Sequence, residues 1–133
     1  MGATYSQFFP PTPTLTEASV PRQDGRVFIV TGGASGVGLE LSRILYHAGG
    51  KVYIAGRSAQ NGQKAITKIK AEKPDVSPKG PPGELAFLQV TLDDLTTIKD
   101  AVEKFIAAET RLDVLFNNAG VSNPPKGSIS AQG

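Results

Sequence analysis

The residues of this 133-residue chain best suited to chemistry are consecutive: Thr31-Gly32-Gly33-Ala34-Ser35-Gly36-Val37-Gly38. A pyrophosphate needs bare backbone N–H groups and the positive end of a helix. Glycines at Gly32, Gly36 and Gly38 permit a tight turn, close approach of phosphate oxygens to the main chain, and close packing of helix on strand. The spacing differs from the general G-x-G-x-x-G fingerprint, and no Gly-Lys-Ser/Thr follows, which disfavours a phosphate-binding P-loop. Alone, such a segment is also how a strand turns tightly into a helix, so its context decides.

The second candidate is Arg57, 19 residues beyond Gly38, followed by Ser58. An acidic side chain here would accept hydrogen bonds from the adenosine ribose, whereas a guanidinium attracts a 2′-phosphate. No Asp or Glu stands between Lys51 and Lys70, so the charge favours NADP (NADPH) over NAD. The plainer reading is a surface arginine at a strand end. Third comes Asn117-Asn118-Ala119-Gly120, whose small residues would let a cofactor pass and whose amides can satisfy backbone groups where strands splay.

Other chemistries are poorly served. The chain has no cysteine and one histidine, which excludes disulfides, zinc-thiolate sites, a cysteine nucleophile and most histidine metal sites; no metal site is expected. Four positions after Tyr5, Tyr46 and Tyr53 stand Phe9, Gly50 and Arg57, so no tyrosine has a lysine at that spacing. His47 ends a predicted helix, where interaction with the helix C-terminus is expected rather than catalysis. A net charge of +2, without basic residues interleaved with aromatics, gives no footprint for nucleic acid. No apolar run long enough to span a bilayer and no secretory signal is present, so a soluble, cytoplasmic protein is expected and membrane contact is not. Met1-Gly2-Ala3-Thr4-Tyr5-Ser6 does fit the loose pattern for N-myristoylation at Gly2, but Arg22 is the arm's single basic residue.

The elements that must position these residues alternate. Residues 1–24, rich in Pro, Thr and Ser, read as an irregular arm in which Phe8 and Phe9 either dock or hang free. Val27 to Val30 is a buried-strand run, and the glycine turn follows it at once. Val37, Leu41, Ile44, Leu45 and Ala48 recur at helical spacing up to the stop at Gly49-Gly50. Lys51 to Gly56 is the second strand. Ser58 caps a helix to about Lys73, with Ala59, Ile66 and Ile69 inward and Lys64, Lys68, Lys70 and Lys73 in solvent. After a Pro/Gly loop from Pro74 to Gly83 come a third strand, Leu85 to Val90, a helix carrying Leu95, Ile98, Val102, Phe105 and Ile106, and a fourth strand, Leu112 to Phe116. The fold class is therefore α/β: a Rossmann-like, doubly wound parallel sheet, βαβαβαβ, with strand order 3-2-1-4. Such a fold continues beyond its fourth strand, so roughly half of it is expected here: an NAD(P)-binding part over 25–121, with 122–133 opening the following loop.

Taken together, Thr31-Gly32-x-x-x-Gly36-x-Gly38, Arg57 and Asn117-Asn118-Ala119-Gly120 strongly resemble the short-chain dehydrogenase/reductase family, in its single-domain branch. The extended branch would place glycine at Ser35. Ala55-Gly56-Arg57-Ser58 looks like NADP-preferring members. The resemblance implies that Thr31 braces the turn, that Gly32, Ser35, Gly36, Val37 and Gly38 line the pyrophosphate, that Arg57 and Ser58 hold the 2′-phosphate, and that Asn118, Ala119 and Gly120 support the cofactor. Thr91 stands where the family commonly has an adenine-contacting Asp, and Asp93 or Asp94 reads as a helix-start carboxylate.

The family's catalytic Ser and its Tyr with a Lys four positions later have no counterpart in these 133 residues. The expectation is thus the cofactor-binding part of an NADP-dependent reductase or dehydrogenase, inactive by itself, with a carbonyl or alcohol substrate belonging to a full-length parent. The alternative is a non-enzymatic short form that binds NADP or pairs with a partner through the exposed edge of the fourth strand. Incomplete folding is a third expectation, since fewer strands bury less surface to offset chain entropy.

Overall fold

The run of β-branched and aromatic residues after Arg26 becomes the centre of the sheet. In a computed structural model, which describes residues 7–73, 80–122 and 124–133, it forms β1 (Val27–Thr31), buried at every position. The chain continues as α1 (Gly36–His47), β2 (Lys51–Gly56), α2 (Ala59–Ala71), β3 (Glu84–Gln89), α3 (Thr96–Ala108) and β4 (Val114–Phe116). All pairings are parallel, as the alternation of strands and helices implies, and the order is the expected β3-β2-β1-β4. Ile29 is in register with Tyr53 on one side and Leu115 on the other.

Alternation along the strands divides the core in two. Phe28, Val30, Val52 and Ile54 face α1 and α2, where they meet Leu45, Tyr46, Ala65, Ile66 and Ile69. Val27, Ile29, Tyr53 and Ala55 face α3 and meet Ala101 and Phe105. The first face is closed and the second is half covered. Val102 and Leu115 are about half exposed and Ile106 is 66% exposed, and beside them a largely apolar groove of about 600 Å³ runs between α3 and the β1–β4 side of the sheet.

The expected inward stripe of α3 is thus only partly inward. Ala101 and Phe105 are its buried residues, while Leu95 precedes the helix and is exposed, because one sheet face cannot cover a stripe that wide. Ala59, expected to face inward, is exposed in the first turn of α2; Gly62, Ala65, Ile66 and Ile69 form the buried side. Lys64, Lys68, Lys70 and Lys73 are exposed, as expected of a solvated face. The third strand starts one residue earlier than the apolar run, and the fourth starts two residues later.

The arm is not uniform either. Phe8 and Phe9 lie exposed. Further along, Glu17 pairs with Arg43 of α1 at 2.8 Å. Arg22 donates to the Pro81 carbonyl at 2.8 Å, and the buried Gln23 donates its N–H to the Ala48 carbonyl at 2.8 Å. The end of the arm therefore belongs to the packed body. At the other terminus, Ala131 donates its N–H to the Asp93 carbonyl at 2.8 Å, and the Gln132 side chain accepts from Leu95 N–H, so the tail returns to the start of α3. Gly2 lies outside the described residues. No helix among those described is long and apolar enough to cross a membrane.

Candidate functional site

Thr31, the last residue of β1, ties that strand to β4 and the segment after it. Its hydroxyl donates to the Phe116 carbonyl at 3.1 Å and accepts from the N–H groups of Asn118 and Ala119, each at 3.0 Å. The Asn118 amide returns a hydrogen bond to the Thr31 carbonyl at 3.1 Å. Where β1 and β4 splay, these bonds replace the ladder, so the glycine turn and the Asn-Asn-Ala-Gly segment are held as one unit.

The glycines have separate physical reasons. Gly32 (φ +66°) and Gly36 (φ +53°) occupy the left-handed region. A Cβ on Gly38 would collide with the Gly32 carbonyl oxygen and come 2.6 Å from the Asn118 amide nitrogen. Beneath them the fully buried Ser42 donates to the Gly38 carbonyl at 2.8 Å, a support that the spacing of glycines could not reveal. The turn opens α1 with bare backbone at its N-terminus. Val37, expected on the inner stripe of that helix, is 77% exposed, because the first turn projects past the sheet into the cleft.

That cleft, about 710 Å³, lies over the C-terminal ends of β1, β2 and β3, where ligands bind in open α/β sheets. Of the residues singled out above, Gly32, Ser35, Val37, Arg57, Ser58, Asn118, Ala119 and Gly120 line it, while Thr31, Gly36 and Gly38 are outside its lining, Thr31 and Gly38 holding the turn in place from behind. The Ser58 hydroxyl caps α2 by accepting from Asn61 N–H at 3.2 Å, which presents Arg57 at the junction of β2 and that helix.

Phe87, Val90, Leu92, Asn61 and Asp93 complete the lining. Of these, Asp93 matters most electrostatically: its Oδ2 is 3.9 Å from Arg57 Nη1. The two carboxylates before α3 thereby separate. Asp94 is the helix-start group, accepting from Thr96 N–H at 3.0 Å and Thr96 Oγ1 at 2.7 Å, and the Thr96 hydroxyl above all holds its carboxyl below the usual range. Asp93 instead stands on the cleft wall.

The remaining titratable groups serve structure. Tyr53 donates to Glu109 at 2.6 Å, Glu109 pairs with Lys51 at 2.6 Å, and burial followed by that carboxylate pushes the phenol up to about 12, the reverse of an activated acid. His47 is buried at the end of α1, and desolvation, then Arg43, lowers its pKa. Desolvation therefore works against the protonated form at this helix end. Among the described residues no group of three or more His, Asp or Glu is placed to hold a metal ion.

With strand order, glycine turn and cleft established, comparison with known proteins is decisive: the family model for short chain dehydrogenase matches residues 26–132. The chain belongs to that family. It is 49% identical over 129 residues to a short-chain dehydrogenase/reductase of Phomopsis amygdali, covering 97% of this chain and 37% of that protein. A short-chain dehydrogenase/reductase of Pestalotiopsis fici is 47% identical over 131 residues, covering 97% and 39%. The chain thus spans under two-fifths of the length of these relatives.

Among solved structures it is similar to RhlG of Pseudomonas aeruginosa, described as an NADP active-site complex (28% identity, TM-score 0.64, 76% of this chain and 37% of that one). A metagenomic short-chain oxidoreductase in complex with NADP is also similar (30%, TM-score 0.62, 74% and 40%). The short-chain dehydrogenases are oxidoreductases that bind a nicotinamide dinucleotide, and the bare backbone at the start of α1, with Gly32, Ser35 and Val37 on the cleft, fits the pyrophosphate of such a group.

Proposed function

We propose that this chain is the cofactor-binding part of an NADP-dependent short-chain dehydrogenase/reductase whose parent reaction is reversible hydride transfer between NADPH and a carbonyl or alcohol. The observation that carries this reading is Arg57, on the wall of the same cleft as the glycine turn, at the end of a strand with no acidic residue nearby in sequence. Its planar fork suits a phosphate, and Ser58 adds a hydroxyl beside it. Gly32, Ser35, Gly36, Val37 and Gly38 would hold the pyrophosphate at the start of α1. Asn118, Ala119 and Gly120 would bound the cofactor on the β4 side. Bound there, the dinucleotide supplies a hydride donor or acceptor; the chain's own residues bind and orient it. NADP in the two solved relatives supports the reading.

The test is calorimetric titration of the 133-residue chain with NADPH and NADH. NADPH binds more tightly, and Arg57→Ala lowers NADPH affinity at least tenfold while changing NADH little, as expected when a charge-assisted hydrogen bond of about 1.5–3 kcal/mol is lost. Equal binding of the two dinucleotides overturns the NADP assignment.

Tyr46 is buried and Tyr53 is bound to Glu109, so neither is placed as the acid/base of a carbonyl reduction. The chain alone is expected to give no turnover, and NADPH oxidation by the pure protein with a panel of carbonyl compounds would refute this. The exposed β4 edge and α3 face favour a second reading, a partner-binding short form. A strictly monomeric chain that stays in solution at high concentration counts against it.

A further inference from the structure

We infer that Asp93 is a specificity-determining residue that restrains the site's preference for a 2′-phosphorylated dinucleotide by setting a carboxylate opposite Arg57. This rests on the cofactor reading above. Arg57 leaves the end of β2 and Asp93 follows the adjacent β3, so the two line the same cleft, 3.9 Å apart at their nearest charged atoms. Their side chains are 72% and 58% exposed, which makes the pair weak and readily displaced.

Both main chains are anchored while the charged groups face the cleft. The Arg57 carbonyl accepts from the Gln89 amide at 3.2 Å, and the Asp93 carbonyl accepts from Ala131 N–H at 2.8 Å. The neighbouring Asp94 carboxylate is committed to Thr96 and to Gln132, leaving Asp93 as the carboxylate on the cleft wall.

An incoming phosphate that forks onto Arg57 takes Asp93's partner and stays within a few ångströms of its negative charge. A ribose hydroxyl carries no charge and can donate to that carboxylate. Asp93 therefore penalises the phosphate and spares the hydroxyl. The opposite role, a carboxylate that merely holds Arg57 in position for phosphate, predicts the opposite sign on removal.

The experiment is calorimetric titration of the 133-residue chain and its Asp93→Asn and Asp93→Ser variants with NADPH and with NADH, with thermal unfolding of each as a check on the fold. Both variants are expected to bind NADPH roughly three- to tenfold more tightly, the scale set by an exposed charge acting on a phosphate of nearly two negative charges. NADH affinity is expected to stay within about twofold or to weaken, since only a hydroxyl contact is at stake. A fall in NADPH affinity, no change, or an equal change for both dinucleotides overturns the inference while leaving the cofactor reading intact. Failure of the unsubstituted chain to bind either dinucleotide removes the cofactor reading and this inference with it.

Discussion

At the scale of single residues, the hydroxyl of Thr31 does what no apolar isostere can. Thr31→Val strips the Ala119 N–H of its acceptor and leaves the Asn118 N–H with the Phe116 carbonyl alone, and a loss of about 1–3 kcal/mol by chemical denaturation is expected, while Thr31→Ser keeps most of it. Gly38→Ala forces a methyl against the Gly32 carbonyl and the Asn118 amide, so α1 must shift; a cost of about 1–3 kcal/mol and loss of NADPH binding are expected together. His47 sets a pH dependence. Its folded pKa lies below the ordinary 6.5, so the unfolded chain takes up the proton first and stability falls as pH drops from about 7 through 6.5 towards the folded value. Glu17 and Glu72 oppose this shift and Arg43 supports it. Melting temperatures across that range should fall for the unsubstituted chain and stay flatter for His47→Gln. The places of the glycine turn, between a strand and a helix, and of Arg57, at the end of the next strand, were legible in the sequence because both follow from local pattern. The Arg57–Asp93 pair was not, since two ends of adjacent strands meet only once the sheet is built.

At the scale of elements, periodicity located each strand and helix because apolar runs of period 2 or 3.6 record which face is buried. It misplaced residues where an element runs past its cover. Val37 and Ala59 lie in first turns and Ile106 lines the open groove between α3 and the sheet, so each keeps the pattern while losing the burial. The short β4 depends on a contact invisible to pattern: Asp113 Oδ2 accepts from Val27 N–H at 2.8 Å, and Arg111 pairs with the same carboxylate. Arg111 above all, then that backbone bond, lowers the Asp113 pKa. Asp113→Ala should therefore fray β4 from the start of β1, seen as faster amide exchange at Leu115 and Phe116 with the β1–β2 ladder still protected.

For the 133-residue chain taken by itself, the unequal cover of the two sheet faces sets the behaviour expected in solution. The α1/α2 side supplies a closed core, and the α3 side leaves Val102, Ile106, Leu112 and Leu115 in contact with water. Concentration-dependent self-association is expected, and Val102→Lys with Ile106→Glu should suppress it in light scattering without lowering the melting temperature, because neither side chain is buried. The sequence resembled a dinucleotide-binding sheet on three short motifs, and the strand order and family match agree with it. Composition held no sign of which face would stay uncovered, since that depends on how many elements share a face.

The Thr31 junction also has a consequence for synthesis. Its hydroxyl waits for backbone groups 85, 87 and 88 positions further along. As the chain leaves the ribosome, β1, the glycine turn, α1 and β2 emerge early and can pair, but the turn has no clasp until Ala119 appears. A strand made early is thus latched late, and a nascent chain halted before that point would display its glycine turn open and unlatched.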